Sequence, residues 1–263
     1  MPPCITLMTD FGLRDGFVGV MKGVILGLVP DARLVDISHA IGPQNIREGA
    51  IIFNRVAPYF PEGAIHICVV DPGVGTARRP IAARLGAQRF VGPDNGLLTL
   101  LYRRAHREHW PVEIVHLDQP QYWRPEISNV FHGRDIFAPV AAHLARGVPL
   151  ASLGSPIADP VLLPLALPER TPDGLRGEIA HIDHFGNIVT NIRAEDLAGL
   201  NGVTVRAVGA EVRGLARTFG DRAPGDLVAL IGSTGDLVLA VVNGSAAQSL
   251  GARVGDPVEV VRV

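Results

Sequence analysis

The sequence changes its period once, near residue 164, and that change limits the fold more than any other feature. Before it, short strands at 5–8, 32–37 and 65–70, the first and last of them mainly apolar, alternate with stretches of helical spacing at 17–28 and 46–56. In the first of these stretches Val18, Met21, Val24 and Ile25 fall on one side, and the second lies between Pro43 and Pro58. Strands alternating with helices indicate βαβ units. Residues 81–85 and 89–91 alternate like a hairpin, and 114–117 is a further short strand. After 164–173, with its three prolines, only short strands separated by turns remain: 177–182, 188–192, 203–208, 227–231, 237–242 and 258–261. The prediction is an α/β N-terminal domain over 1–164 with a largely parallel sheet flanked by helices. A smaller all-β, barrel-like domain follows over 174–263, with a linker between.

Composition sets the limits of function. With 47% hydrophobic and 19% charged residues in 263, a sizeable core is available and disorder is not expected. A net charge of −2 supplies no electrostatic footprint for nucleic acid, so the ligand is expected to be small. Two cysteines, Cys4 and Cys68, provide neither a disulfide framework nor a cysteine zinc site. The first residues lack a basic stretch and reach Asp10 too early for a signal peptide, and no run of about 18 apolar residues exists. A cytoplasmic chain with no membrane contact is the expectation.

The chemistry is expected in the stretch 71–80, Asp-Pro-Gly-Val-Gly-Thr-Ala-Arg-Arg-Pro, directly after an apolar strand. In open α/β sheets, ligands bind outside the carboxyl ends of strands. Asp10 and Asp15, five apart in a glycine-containing loop after the first strand, suit hydroxyl and ammonium recognition, while Asp15 is equally placed to cap the helix that follows. His132, beside Gly133 at a loop-to-helix junction, can face a ligand or serve the fold. Of nine histidines only two pairs are close, His106 with His109 and His181 with His184, and the second pair would point to opposite sides of a strand. No metal site is expected.

Five segments taken in order resemble the S-adenosylmethionine hydroxide adenosyltransferases, the family related to the fluorinases and chlorinases. They are Thr9-Asp10-Phe11-Gly12, Asp71-Pro72-Gly73-Val74-Gly75-Thr76, Phe131-His132-Gly133-Arg134-Asp135, Asp183-His184-Phe185-Gly186-Asn187 and Gly232-Ser233-Thr234-Gly235. Each is weak alone, but five in family order over almost the whole chain are specific. The resemblance implies a homotrimer whose sites lie between the N-terminal domain of one subunit and the C-terminal domain of its neighbour. It implies hydrolysis of S-adenosyl-L-methionine to adenosine and L-methionine by water or hydroxide at C5′, with no cofactor.

The roles the resemblance implies fall on named positions. Asp71, Arg78 and His132 would handle the water, and Arg79 would be structural. Asp10 would accept the ribose diol, Asp15 and Asp183 would meet the methionine ammonium, and Ser233 and Thr234 would lie by its carboxylate. Phe131, Gly133 and Phe219 would neighbour the ligand, and Asn187 would bond adenine. Thr234 stands where fluorinases have arginine, so a salt bridge to the carboxylate must come from elsewhere or be absent. The fluorinase pattern also has tyrosines where Asp71 and His132 stand and serine where Gly133 stands. A carboxylate at 71 would repel a halide, which favours water. A halogenating enzyme and a non-catalytic binder of adenosine or S-adenosylmethionine are the alternatives. An arginine beside Asp71 is expected to lower its pKa, which makes His132, ordinarily near about 6.5, the better proton acceptor; the base is one of these two.

Overall fold

The central strands are covered on both faces, which is why they read as unbroken apolar runs rather than alternations. The computed structural model describes residues 2–200 and 202–263 and divides into two units, Met1–Leu163 and Pro164–Val263. The first contains β1 (Cys4–Thr9), α1 (Phe17–Leu28), β2 (Arg33–Ser38), α2 (Ile46–Val56), β3 (Ile65–Val69), β4 (Pro80–Leu85) and β5 (Gln88–Pro93). It continues through α3 (Thr99–Arg107), β6 (Val112–Leu117), α4 (Ala138–Ala145) and β7 (Gly154–Pro156). Its sheet runs in the order β2-β1-β3-β5-β4-β6-β7. The first four of these strands are parallel and the rest antiparallel, so the sheet is mixed. The parallel half is what carries the candidate residues.

Two cores sandwich this sheet. Ile5, Leu7, Ile67 and Val69 pack with Met21 and Ile25 of α1 and Val140 and Leu144 of α4. Met8, Cys68 and Val70 pack on the opposite face with Phe53 of α2 and Leu101 of α3. Each helix has its own local logic. Asn45 caps α2 by accepting the Glu48 N–H, and the Glu48 carboxylate returns to the Asn45 amide and the Gly42 N–H. Helix α1 instead begins at Gly16, with φ 71 and no side-chain cap, so Asp15 is not spent on capping.

Chain order fixes where a ligand can sit. From β1 the chain passes through α1 to β2 on one side, then through α2 to β3 on the other side of β1. The strand order therefore reverses between β1 and β3, and their carboxyl ends flank a topological switch point. Thr9 pairs with Val69 at that edge, so the loops carrying Asp10 and Asp71 leave the sheet side by side.

The second unit contains β8 (Glu169–Thr171), β9 (Gly174–Ile182), β10 (Ile188–Arg193), β11 (Val203–Ala207), β12 (Ala210–Arg213), β13 (Leu227–Ile231), β14 (Asp236–Val241), α5 (Ala246–Leu250) and β15 (Pro257–Arg262). Its antiparallel sheet runs β12-β11-β15-β9-β10-β14-β13, and the end strands β12 and β13 approach each other, so it curls into a nearly closed barrel. Ile179, Val205, Leu239 and Val260 belong to its buried interior. The stretch 164–173, expected as a linker, is part of this unit. Between Pro168 and Pro172 the backbone is already extended, and Glu169–Thr171 pairs with β9 across the two-residue loop Pro172-Asp173. Among the described residues no helix is long and apolar enough to cross a membrane.

One glycine couples two loops of the first unit. Gly75 has φ 75, and a Cβ placed there would lie 2.2 Å from the Asn129 carbonyl oxygen. Gly63 has a similar φ of 78 with open space around it. Gly75→Ala is therefore expected to cost more than Gly63→Ala, for which backbone strain alone is about 1–3 kcal/mol. Urea unfolding of the two variants measures the difference, and equal losses would show that the approach to Asn129 does not matter.

Candidate active site

The loop after β3 folds back on itself before β4 begins. Val74 N–H donates to the Asp71 carbonyl at 3.2 Å, and the Thr76 N–H donates to the Gly73 carbonyl at 3.2 Å. The Thr76 hydroxyl also donates to the Gly73 carbonyl at 2.7 Å and accepts the Arg78 N–H at 3.3 Å. This return brings Arg78 onto the carboxylate seven residues earlier. Arg78 Nε donates to Asp71 Oδ1 at 3.1 Å, and its Nη2 donates to Asp71 Oδ2, a two-pronged pairing. The side chains are 7% and 4% exposed, so this charge pair is out of bulk water. The Arg78 guanidinium lies over the Phe137 ring, 5.5 Å from its centroid.

The same Nη2 lies 3.1 Å from His132 Nδ1. Arginine has donors only, so Nδ1 is the acceptor and the proton of the neutral ring sits on Nε2. Asp71, Arg78 and His132, expected together from the sequence, thus form one bonded chain. Arg78 and His132 both reach a cavity of 420 Å³ walled also by Thr76, His116, Asp118 and Trp123.

Electrostatics reverse one expectation. Burial raises the Asp71 pKa, and the Arg78 charge and hydrogen bonds offset this only in part, so the net shift is upward. Burial lowers the His132 pKa, and the Arg78 charge lowers it further against smaller opposing effects of Asp71 and Asp135. The two shifts run toward each other and narrow the gap between the free groups. Desolvation of a side chain only 4% exposed outweighs the neighbouring arginine.

His132 is held by a distortion of the helix that follows it. Residues Gly133–Phe137 form a single π turn ahead of α4. Asp135, fully buried, accepts the Ser128 N–H at 2.9 Å and two bonds from Arg134. Its main-chain carbonyl accepts the Arg124 N–H, so one residue ties down the whole approach to His132. Phe131 meets Phe11 at 6.0 Å and Phe17 at 5.4 Å, edge to face, and Arg134 covers it at 5.2 Å. A Cβ on Gly133 would touch Met21, Phe131 and Phe11 at 3.2–3.5 Å, which explains a residue without one. Asp135 was part of a quoted motif, but its role shows only in the bonds it makes.

The other expected residues have separate settings. Asp10 is half-buried and accepts the Gln44 N–H at 2.8 Å, whereas Asp15 is exposed. Arg79 bonds Asp94 and Asp159 and is structural in this arrangement. In the second unit Asp183 Oδ1 accepts the Phe185 and Asn187 N–H groups, and Oδ2 accepts the Asn187 amide. Asp183 and Asn187 thus share one turn, and Phe219 lies half-exposed in another. Thr234 donates to Asp236 at 2.8 Å, beside exposed Ser233. Arg193, which the sequence reading passed over, donates to the Thr234 carbonyl at 3.4 Å and lies 3.6 Å from Asp236. It places a cation at the turn that carries Thr234. The turn 183–187 precedes Ile188, paired with Leu239, and the turn 232–235 precedes Asp236, paired with Arg193. These turns lie at opposite ends of one ladder. Among the described residues no group of three or more His, Cys, Asp or Glu is placed to hold a metal ion.

Relatives of this chain match it over nearly its whole length. A protein named (R)-S-adenosyl-L-methionine hydrolase from Thermus thermophilus is 43% identical, over 98% of this chain and 99% of its own. One of the same name from Salinispora tropica is 42% identical, over 98% and 97% respectively. A crystal structure of an uncharacterised conserved protein from Thermotoga maritima superposes with a TM-score of 0.89 at 37% identity, covering 97% of this chain and 99% of that one. The model of the SAM hydroxide adenosyltransferase N-terminal domain matches residues 5–154, and that of the C-terminal domain matches 177–259. The chain belongs to the SAM hydroxide adenosyltransferase family.

Proposed function

We propose that this chain hydrolyses S-adenosyl-L-methionine to adenosine and L-methionine by attack of water at C5′. The relatives' names specify the (R) compound, and that is the configuration we assign to the substrate. The observation that carries the reading is the Asp71–Arg78–His132 chain, with its ion pair buried, beside the switch point.

Each group has one task. Asp71, with its raised pKa, takes a proton from water as the oxygen bonds C5′. Arg78 fixes the carboxylate with two bonds and holds His132 in one tautomer. His132 Nε2–H then donates to a lone pair of the water and leaves the other aimed at carbon. The C5′–S bond breaks with its electron pair on sulfur, and the sulfonium becomes a neutral thioether that needs no acid. No redox or metal cofactor enters this balance. A halide would have to approach the carboxylate of Asp71, which disfavours a halogenating reaction.

Binding follows the same geometry. Asp10 takes the ribose diol, Asp15 the ammonium, and Phe131 and Gly133 the ligand's apolar flank. In the second unit Asn187 and Phe219 serve the adenine end. Ser233 and Thr234 serve the carboxylate, with Arg193 supplying charge. Asp183 keeps one lone pair for the ammonium while organising the Asn187 turn. The assembly is a homotrimer, testable by light scattering, and the compartment is the cytoplasm.

Incubation with the (R) and (S) epimers, with and without halide, is expected to yield adenosine from the (R) epimer without halide or added metal. Tight binding with no product would leave a non-catalytic binder. Asp71→Asn is expected to lower kcat about 10²–10⁴-fold with a smaller change in KM, and His132→Ala to act in the same direction; unchanged turnover in both removes them from the mechanism. The pH dependence has a defined sign. Protonated Asp71 is no base, and protonated His132 can no longer accept from Arg78. The acid limb of kcat/KM should therefore lie above 3.8, the ordinary value from which Asp71 is raised, and below 6.5, the value from which His132 is lowered. A loss of activity already complete above pH 6.5 would assign the limb to another group.

A further inference from the structure

His39 and the loop after β2 hold the segment around Asp10 from both sides. His39 is buried, 5% exposed. Its Nδ1 lies 2.8 Å from Thr9 Oγ1, and its main-chain carbonyl accepts the Gly12 N–H at 2.8 Å. Thr9 Oγ1 in turn accepts the Phe11 N–H at 3.1 Å. At the far edge of the ring, Nε2 stands 3.0 Å from Asp36 Oδ1, off the axis of a linear hydrogen bond, and Asp36 pairs with Lys22 at 2.6 Å. Burial disfavours the Asp36 carboxylate, but the bonds from Lys22 and His39 and the Lys22 charge outweigh it and hold its pKa below the ordinary value.

A carboxylate at Nε2 draws the ring proton there, which leaves Nδ1 to accept the Thr9 hydroxyl. Thr9 then donates once and accepts once, and the order runs without mismatch from Lys22 to the Phe11 N–H. The same loop makes a third contact, from the Gln44 N–H to Asp10 Oδ2. Gln44 has φ 62, a left-handed conformation that a residue with a side chain keeps only where its surroundings over-determine it.

We propose that His39 is a positioning residue for Asp10, fixing the loop at Thr9 and Gly12 so that the carboxylate meets the 2′ and 3′ hydroxyls of the adenosyl group. This rests on the reading of Asp10 as the ribose acceptor. The test is the ratio of kcat/KM for S-adenosylmethionine to that for its 2′-deoxy analogue. Asp10→Asn is expected to reduce that ratio at least about tenfold, because a site built for a hydroxyl rejects the analogue that lacks it. His39→Phe and Thr9→Val are expected to reduce it similarly, and neither should reduce it further when combined with Asp10→Asn. His39→Asn, which keeps an acceptor near Nδ1, should restore most of it. Asp36→Asn, at a half-exposed position, should reduce it while leaving the melting temperature nearly unchanged. An unchanged ratio in Asp10→Asn overturns the ribose reading. A reduced ratio there, with wild-type ratios in His39→Phe, Thr9→Val and Asp36→Asn, overturns the positioning role alone.

Discussion

A single buried guanidinium sets the terms for the first unit. Arg78 offers five donors and no acceptor, and its side chain is 7% exposed, so it needs acceptors from the protein. Asp71 supplies two and His132 one, and the face of Phe137 lies beneath. The contacts come from two stretches of chain, the loop after β3 and the segment ahead of α4. A buried ion pair is weak as a source of stability, yet losing one partner leaves an uncompensated charge, which is strongly unfavourable. The loop after β3 and the segment ahead of α4 are thus bound to one arrangement. Burial within that arrangement raises the proton affinity of Asp71 against the opposing pull of Arg78, and the bond from Arg78 fixes the tautomer of His132.

The rest of the unit delivers these groups to the same place. Parallel pairing of β1 with β3 aligns the loops carrying Asp10 and Asp71, and the helices on each face bury the strands that lead into them. The polar supports lie one shell further out. Thr76 closes the Asp71 loop, Asp135 closes the His132 segment, and His39 closes the Asp10 loop. Activity in such a site depends as much on these supports as on the groups that meet the substrate.

Much of this could be read from residues alone, for identifiable reasons. Helices Phe17–Leu28 and Ile46–Val56 were legible because their apolar spacing ends at glycine or proline. The strands of the second unit were legible because turn residues bracket them. The strand Glu169–Thr171 was not, since prolines on either side signal a break and say nothing about pairing across a two-residue loop. Asp71, Arg78 and His132 could be named from motif order, and the structure brings them together. The direction of the Asp71 shift could not be read, because burial is a property of the fold and outweighed the neighbouring charge. Arg193 and His39 were invisible for another reason: each matters through the loop it touches, and no local pattern marks it.

The π turn over Gly133–Phe137 has a further consequence. A π turn is an α-helix carrying one residue more than its hydrogen bonding requires. Removing that residue would regularise the helix and rotate everything ahead of it by about 100°, one residue's share of a 3.6-residue turn. His132, which caps this turn, would swing away from Arg78. The most regular helix available to this sequence is therefore one in which the site comes apart, and the irregularity acts as an address that tells His132 where to stand.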